Sequence, residues 1–325
     1  MTSSKKLSIG NIVKNYTLEI ILVALAIILT FVTPHFLTLN NLMNILRNIS
    51  LQGVVAFGMT IVIVCGELDL SLSSSIALTG VLIGLIGGKL DAAGIMPLQY
   101  GVLVGIAAAF VVCTCVGLIN GWLITRFRIP AMIVTLAMQN ILYGIAAIIS
   151  NGFPVITFPA WYSFIGSGRI FGIVPVPVII LAVVFAITAF VLSYTKFGRA
   201  TFACGGNAEA ARLSGINVKR TKIISMVIVQ LCCVVSGIML SSQVMSGTFS
   251  FARGWEMNAI SSVIIGGASI AGGIGKMRGT LLGIIFLGIL LNGMTLLNVN
   301  DYIQYVVRGC LIIFAVLLST LKNKK

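Results

Sequence analysis

The chain has 325 residues, of which 58% are hydrophobic and 9% charged, whereas soluble globular proteins carry about a quarter charged residues. A chain this poor in charge cannot maintain an ordinary water-facing surface, so the composition excludes a soluble globular protein and predicts a polytopic protein of the lipid bilayer. Its 21 basic and 7 acidic residues give a formal net charge of +14, which indicates either a nucleic-acid partner or Lys and Arg gathered in cytoplasmic loops.

Apolar runs of at least about 17 residues, the minimum for a transmembrane helix, recur along the chain. They cover residues 16–33, 49–65, 70–88, 100–125, 129–149, 172–194, 223–244, 280–297 and 302–321. Residues 257–274 form a tenth segment, rich in Gly and Ser, which is predicted to be a short or broken helix inside the bundle. We therefore predict an all-α membrane protein of about ten transmembrane helices, with residues 1–325 forming one domain.

The positions of the basic residues give this topology an orientation. With ten spans and a cytoplasmic amino terminus, both termini are cytoplasmic, and only Arg47, Lys89, Arg169 and Arg253 fall in outer loops. The cytoplasmic set is Lys5, Lys6, Lys14, Arg126, Arg128, Lys196, Arg199, Arg212, Lys219, Arg220, Lys222, Lys276, Arg278, Lys322, Lys324 and Lys325. This asymmetry accounts for the charge excess and removes the reason to expect nucleic acid.

Two further patterns concern the topology. Residues 34–48 carry apolar and polar side chains on opposite sides, which predicts an amphipathic helix at the outer interface. A Gly pair at Gly101 and Gly105, followed by Asn120, resembles a later pair at Gly279 and Gly283, followed by Asn292. The two could mark halves of a five-plus-five inverted repeat, although glycine spacing alone often produces such matches.

Residue types for catalysis or ion coupling are scarce. The chain has no phosphate-binding Gly-rich loop with its Lys and hydroxyl residue, and its 7 acidic residues fall in loops or near helix ends. The 7 cysteines and single histidine show no zinc-ligand spacing. We therefore expect no metal site, no cofactor and no enzymatic activity, and no acid at the mid-bilayer depth that a proton-coupled carrier uses.

A few polar residues in or between the apolar runs are candidates for a solute pathway or gate. Asp69 follows the second run and either caps the next helix or belongs to a gate. Gln304 and Arg308 share one face of the last run, where an arginine needs either a water-filled pathway or a structural partner. The full candidate set is Asp69, Asn120, Asn140, Asn292, Gln304 and Arg308.

Residues 195–222, called here the coupling segment, form the longest predicted cytoplasmic loop. Asn207 suits a helix N-cap, Glu209 the first turn and Gly215 the end, which predicts a separate helix of about two turns. Such a helix could seat in a groove of another protein, or the segment could be an ordinary solvated loop.

The sequence of this segment resembles the Glu-Ala-Ala loop of ATP-binding-cassette permeases, through Glu209, Ala210, Ala211 and Gly215. The longer stretch from Gly205 to Ile216 is similar to the corresponding stretch of ribose-type sugar permeases. Further matches to that family are Phe36-Leu37-Thr38, Asn40-Asn41-Leu42, Gly58-Met59-Thr60, Leu68-Asp69-Leu70-Ser71, Asn151-Gly152, Pro154, Glu256, Ala259-Ile260, Gly266-Gly267, Ser269, Gly272-Gly273 and Leu291-Asn292-Gly293.

The resemblance implies a multi-pass subunit of the bacterial cytoplasmic (inner) membrane that pairs with an identical or similar permease. It implies a cytoplasmic ATPase partner and a periplasmic or extracellular sugar-binding protein. The implied ATPase-coupling residues are Gly198, Arg199, Gly205, Gly206, Asn207, Glu209, Ala210, Ala211, Arg212, Ser214 and Gly215. The function it implies is import of a monosaccharide such as a ribose-like pentose, and the alternative is an ion-coupled secondary carrier or facilitator for a small polar solute.

Overall fold

The computed structural model describes residues 17–33 and 35–323, which are almost entirely helical. The helices are α1 (Thr17–Val32), α2 (Leu39–Val64), α3 (Leu72–Ala92), α4 (Leu98–Phe127), α5 (Ala131–Ile149), α6 (Ser163–Ser167), α7 (Val176–Tyr194), α8 (Lys196–Gly206), α9 (Ala208–Leu213), α10 (Val218–Val244), α11 (Trp255–Ile265), α12 (Met277–Leu296) and α13 (Asp301–Asn323). A 3-10 turn, Ala160–Tyr162, and a short antiparallel hairpin of β1 (Arg169–Ile170) and β2 (Val174–Pro175) lie between α5 and α7.

Helices α2 and α10 form the centre of the bundle. Nearly every side chain of α2 from Ile49 onwards is buried, and α10 packs against α2, α3 and α4. Small residues permit the close approach: a Cβ on Gly58 of α2 would lie 2.9 Å from Cα of Val229 on α10. Such small-residue contacts drive helix association in a membrane, where lipid is as apolar as the side chains. Apolar side chains of α4, α5 and α7 remain exposed on the outside of the bundle.

Fewer helices qualify as membrane spans than the sequence predicts. Within the described residues, seven helices are long and apolar enough to cross a membrane, namely α2, α3, α4, α5, α7, α10 and α12. The prediction of about ten spans is therefore wrong. Two further predictions depended on ten spans. They are the five-plus-five inverted repeat and the placement of both termini on the cytoplasmic side, and neither is supported by seven spans.

Three of the predicted spans account for the difference. Helix α1 has 16 residues, fewer than the roughly 17 needed to cross, and Tyr16, where the apolar run begins, lies outside the described residues. Helix α11 has 11 residues and is followed by irregular backbone with positive φ at Gly267, Gly272 and Gly273, which confirms the predicted broken helix. Helix α13 has 23 residues and is not among the seven.

The amphipathic interface helix predicted for residues 34–48 is also wrong. From Leu39 onwards these residues form the first turns of α2, which continues without a break to Val64. Asn41, on the predicted polar side, is buried, whereas Leu39 and Leu46 are exposed. The reason is a tertiary contact, because Asn41 exchanges two hydrogen bonds with Asn292 of α12.

Candidate functional site

The coupling segment folds into two capped helices that lead into α10. Thr195 Oγ1 accepts a hydrogen bond from the Gly198 amide at 3.1 Å and starts α8. Asn207 Oδ1 accepts from the Glu209 and Ala210 amides at 3.0 and 2.9 Å and starts α9. After α9, Gly215 adopts a φ of +82°, which glycine favours at a helix end. The separately capped short helix predicted from Asn207 and Gly215 is confirmed.

The inner side of the coupling segment rests on the end of α2 and on residues 266–276, called here the glycine loop. A Cβ on Gly205 would lie 1.8 Å from the carbonyl oxygen of Val64 and 2.5 Å from the backbone nitrogen of Gly273. The Gly273 amide in turn donates to the Val64 carbonyl at 2.9 Å. Three backbones therefore meet at Gly205, where α8 contacts both the end of α2 and the glycine loop.

Buried side chains strengthen this contact. Ala211 of α9 packs with Cys65 and Cys204 in one apolar cluster. The neighbouring thiol of Cys65 lowers the pKa of Cys204, helped by Thr221 and the positive charge of Lys222. The thiol of Cys204, together with burial, raises the pKa of Cys65. The thiol pair and the apolar contacts join α8 to the turn after α2.

An ion pair lies next to this cluster. The ammonium group of Lys222, in the first turns of α10, donates to the carboxylate of Glu67 in the turn between α2 and α3. The two charged groups border a cavity of about 360 Å³ that is also lined by Thr125, Arg128 and Lys219. This cavity carries three basic side chains against one acid, so it suits an anionic group.

The outer side of α9 is charged and exposed. The guanidinium of Arg212 donates to both carboxylate oxygens of Glu209, at 3.1 and 2.5 Å. This hydrogen bonding and the positive charge of Arg212 hold the pKa of Glu209 below its usual value. Leu213 is 74% exposed beside this pair. The sequence includes it only within the family-like stretch from Gly205 to Ile216, where no pattern marks it individually.

The eleven predicted coupling residues divide between the two sides of the segment. Gly198, Gly205 and Ala211 pack inwards, and a Cβ on Gly198 would lie 2.0 Å from the carbonyl oxygen of Leu192. The exposed members are Arg199, Gly206, Asn207, Glu209, Ala210, Arg212, Ser214 and Gly215. The segment therefore has an exposed outer surface and an inner surface that packs against the bundle.

A second cavity, called here the polar cavity, has a volume of about 320 Å³ and lies between α2, α10, α11, α12 and α13. Its polar side chains are Asn48, Gln52, Gln243, Ser262, Asn292, Thr295, Gln304 and Arg308, and Trp255 also lines it. Three of the predicted pathway residues, Asn292, Gln304 and Arg308, meet here. The sequence did not single out Gln243 or Trp255, because neither lies in a pattern that marks a site.

The coupling segment and the polar cavity lie at opposite ends of the bundle. Helix α10 begins at Val218, in the coupling segment, and reaches the cavity at Gln243, about 37 Å away at 1.5 Å per residue. The end of α2 contacts Gly205, whereas Gln52 and Asn48 in its first half line the cavity. The same helices therefore connect the two sites.

The other predicted pathway residues lie elsewhere. Asp69 is fully buried, and its carboxylate accepts from the Ser71 amide and hydroxyl at 2.8 and 2.6 Å and from Gln230 Nε2 at 2.8 Å. Asn120 donates to the Ser71 hydroxyl at 3.4 Å. Asn140 is exposed on α5 and donates to the Leu136 carbonyl of its own helix. Asp69 thus bonds the residue before α3 and links it to α10, and its place in a pathway stays a prediction.

The seven apolar helices, together with the similarities that follow, define a multi-pass permease subunit of the inner membrane. Residues 41–316 match the family described as the permease component of branched-chain amino acid transport systems, and the chain belongs to this family. Permeases of this kind are non-catalytic subunits of ATP-binding-cassette importers, in which a separate ATPase hydrolyses ATP. They work with that ATPase and with a binding protein.

Several characterised permeases are similar along nearly their whole length. The chain is 39% identical to the ribose import permease protein RbsC of Escherichia coli strain K12, covering 94% of this chain and 92% of the relative. It is 37% identical to the L-arabinose transport system permease protein AraH of the same strain, covering 98% and 94%. It is 35% identical to RbsC of Bacillus subtilis strain 168, covering 99% and 98%. No solved structure was found to match the chain.

Proposed function

We propose that the chain carries a monosaccharide, of the ribose or arabinose class, as the permease subunit of an ATP-binding-cassette importer. The observation that carries the proposal is the 35 to 39% identity to ribose and arabinose permeases over almost the entire chain. The polar cavity supports a sugar over an amino acid, because no carboxylate among the described residues lines it to bind an ammonium group. The relatives named above give no support to an ion-coupled carrier.

The outer surface of the coupling segment is the proposed docking site for the ATPase. It combines the exposed Leu213 with the Glu209–Arg212 pair, an apolar centre with a polar rim of the kind found in protein interfaces. Six basic residues in the segment favour the cytoplasmic side, where the ATPase resides: Lys196, Arg199, Arg212, Lys219, Arg220 and Lys222.

The transport cycle follows from the contacts between the two ends. When the ATPase subunits close, they displace α8 and α9, and the contact at Gly205 transmits this displacement to α2 and the glycine loop. Because α2, α10 and α12 also line the polar cavity, access to the cavity changes with the position of the coupling segment. A periplasmic or extracellular sugar-binding protein delivers the cargo, and a second permease copy completes the path.

Reconstitution tests the proposed function directly. Proteoliposomes that contain this chain, its ATPase and its sugar-binding protein should accumulate labelled D-ribose or L-arabinose only when ATP is present on the side of the ATPase. Proteoliposomes with the permease alone should move neither sugar. Sugar uptake by the permease alone, or by the complete set of proteins without ATP, would contradict the importer.

Glu209→Lys should weaken binding of the ATPase by about tenfold or more, because it places a second cation beside Arg212 at an interface where like charges repel. Copurification of the ATPase with tagged permease measures the loss. The double variant Glu209→Arg with Arg212→Glu is the control, since it restores the internal ion pair but inverts its direction. If the swap restores full ATPase binding, the pair acts only within α9 and the ATPase does not contact it.

Leu213→Ser should also weaken ATPase binding, and it should leave the unfolding temperature of the permease unchanged because the side chain is already 74% exposed. Loss of one apolar anchor costs about 1–3 kcal/mol in an interface. Leu213→Met, which preserves the apolar contact, is expected to bind the ATPase like the wild type. Equal binding by the Ser and Met variants would show that Leu213 lies outside the docking surface.

A further inference from the structure

The geometry points to the polar cavity as the sugar-binding site within the permease, with Gln243, Asn292, Gln304 and Arg308 bonding the sugar hydroxyls beside the ring of Trp255. This inference rests on the proposed function and assigns it a place in the chain. The cavity volume of about 320 Å³ lies at the lower end of the range for small-molecule sites, about 300–1,000 Å³, which suits a single sugar ring.

The chemistry of the lining fits a neutral polyol. Each side-chain amide offers both a donor and an acceptor, so it can bond a hydroxyl group in either direction. The polar lining consists of amides, hydroxyls and one guanidinium. The half-buried indole of Trp255 presents an apolar face against which the C–H side of a sugar ring can pack.

Unpaired polar atoms at the cavity are available to a ligand. Among the described residues, Gln243 Oε1 and Arg308 Nε are buried and have no hydrogen-bond partner. Buried polar atoms are normally paired, and exceptions at a functional site require a reason. Sugar hydroxyls offer both kinds of partner, a donor for the Gln243 oxygen and an acceptor for the Arg308 nitrogen.

The other amides are held in place by the protein. Asn292 and Asn41 exchange hydrogen bonds at 3.0 and 2.8 Å, and Gln304 donates to the Val299 carbonyl at 3.2 Å. Gln52 Oε1 accepts from Asn258 at 3.2 Å. The bonded residues are therefore positioned before any ligand arrives, whereas Gln243 and Arg308 keep free capacity to bind it.

The position of the cavity fits delivery from outside. It lies at the end of the bundle opposite the coupling segment, which the proposed function places on the cytoplasmic side. A sugar released by an external binding protein therefore reaches this cavity before any part of the coupling segment. Binding here need only be weak, because the external protein supplies the affinity.

Tryptophan fluorescence tests the site, since the chain has three tryptophans. The variant Trp122→Phe with Trp161→Phe leaves Trp255 alone, and the matched variant Trp122→Phe with Trp255→Phe leaves Trp161, which does not line the cavity. With purified full-length permease, D-ribose or L-arabinose should change Trp255 fluorescence with saturation in the millimolar range. The Trp161 protein should show no saturable change, and L-leucine should have no effect on either.

Substitutions in the Trp255-only protein separate binding from folding. Gln243→Leu should raise the half-saturating sugar concentration by about tenfold, the equivalent of one lost hydrogen bond of about 1.4 kcal/mol. Gln139→Leu is the control, because Gln139 bonds Ser73 away from the cavity, and it should leave the half-saturating concentration unchanged. Gel filtration and the unfolding temperature identify any variant that fails to fold.

The outcomes distinguish this inference from the function on which it rests. If the assembled importer takes up ribose or arabinose but Trp255 fluorescence responds to neither sugar, or Gln243→Leu responds like the parent protein, the cavity is not the sugar site. If the assembled importer takes up neither sugar, the proposed cargo is wrong. Saturable quenching of Trp255 by L-leucine and not by the sugars would overturn both.

Discussion

Replacing Gly205 by alanine should reduce ATPase-dependent transport by about tenfold or more. The added Cβ would lie 1.8 Å from the Val64 carbonyl oxygen and 2.5 Å from the Gly273 nitrogen. Both are backbone atoms, so neither can rotate away, and overpacking of this kind costs about 1–3 kcal/mol. The coupling segment must then separate from α2 and the glycine loop. Uptake of labelled sugar by proteoliposomes and the unfolding temperature of the purified permease measure the effect.

Gly206→Ala is the matched control for this prediction. The two glycines are adjacent in α8, but among the described residues nothing lies within 4 Å of a Cβ placed on Gly206. The control should transport at the wild-type rate and unfold within about 0.5 kcal/mol of the wild type. Because Gly206 is exposed on the proposed docking surface, copurification of the ATPase is measured for both variants. If both retain the ATPase and lose transport equally, the contact at Gly205 does not transmit force.

Asp69→Ala should destabilise the permease by about 3 kcal/mol or more. The substitution leaves three buried donors without their acceptor, the Ser71 amide, the Ser71 hydroxyl and Gln230 Nε2, and each unpaired buried group costs about 1–3 kcal/mol. The site is fully buried, so bulk water does not reach the freed donors. Thermal unfolding of the purified protein in detergent measures the loss.

Asn140→Ala provides the comparison for Asp69. From sequence, Asn140 is a candidate for a pathway, and Asp69 either caps the next helix or belongs to a gate. Asn140 is exposed and bonds the Leu136 carbonyl of its own helix. Its loss should change the free energy of unfolding by less than about 0.5 kcal/mol. An unfolding temperature of Asp69→Ala equal to that of Asn140→Ala would contradict a structural role for the carboxylate.

Local features of the chain could be predicted from sequence, whereas the number of spans could not. The caps at Asn207 and Gly215 depend on neighbouring residues, so the sequence places α9 within its observed bounds. Hydropathy cannot distinguish a membrane span from an apolar helix that packs inside the bundle, so it predicts a tenth span at residues 257–274. The prediction of an amphipathic interface helix at residues 34–48 is wrong because the Asn41–Asn292 contact joins residues far apart in the chain, which a local pattern cannot show.

The polar cavity could be predicted only in part, because local sequence patterns identify its residues but not which of them meet in the fold. Polar residues in apolar runs stand out, and Asn292, Gln304 and Arg308 do meet in one cavity. The sequence does not show that Asp69 and Asn120 belong to a different cluster, in which both bond Ser71. Which polar residues meet depends on how α10 packs against the other helices. Gln243 could not be predicted, because its importance comes from an unpaired buried oxygen that only the folded chain reveals. Leu213 lies in the predicted coupling stretch, but its exposure likewise follows only from the fold.

Helix α10 is held by close backbone contacts at several points along its length. A Cβ on Gly121 would lie 2.7 Å from Cα of Ile223, one on Gly58 2.9 Å from Cα of Val229, and one on Gly166 2.4 Å from the backbone nitrogen of Gln243. These contacts span about 30 Å of the helix at 1.5 Å per residue. Under the proposed function, a displacement of the coupling segment therefore moves α10 together with the helices packed against it, and the cavity end moves as part of the same body.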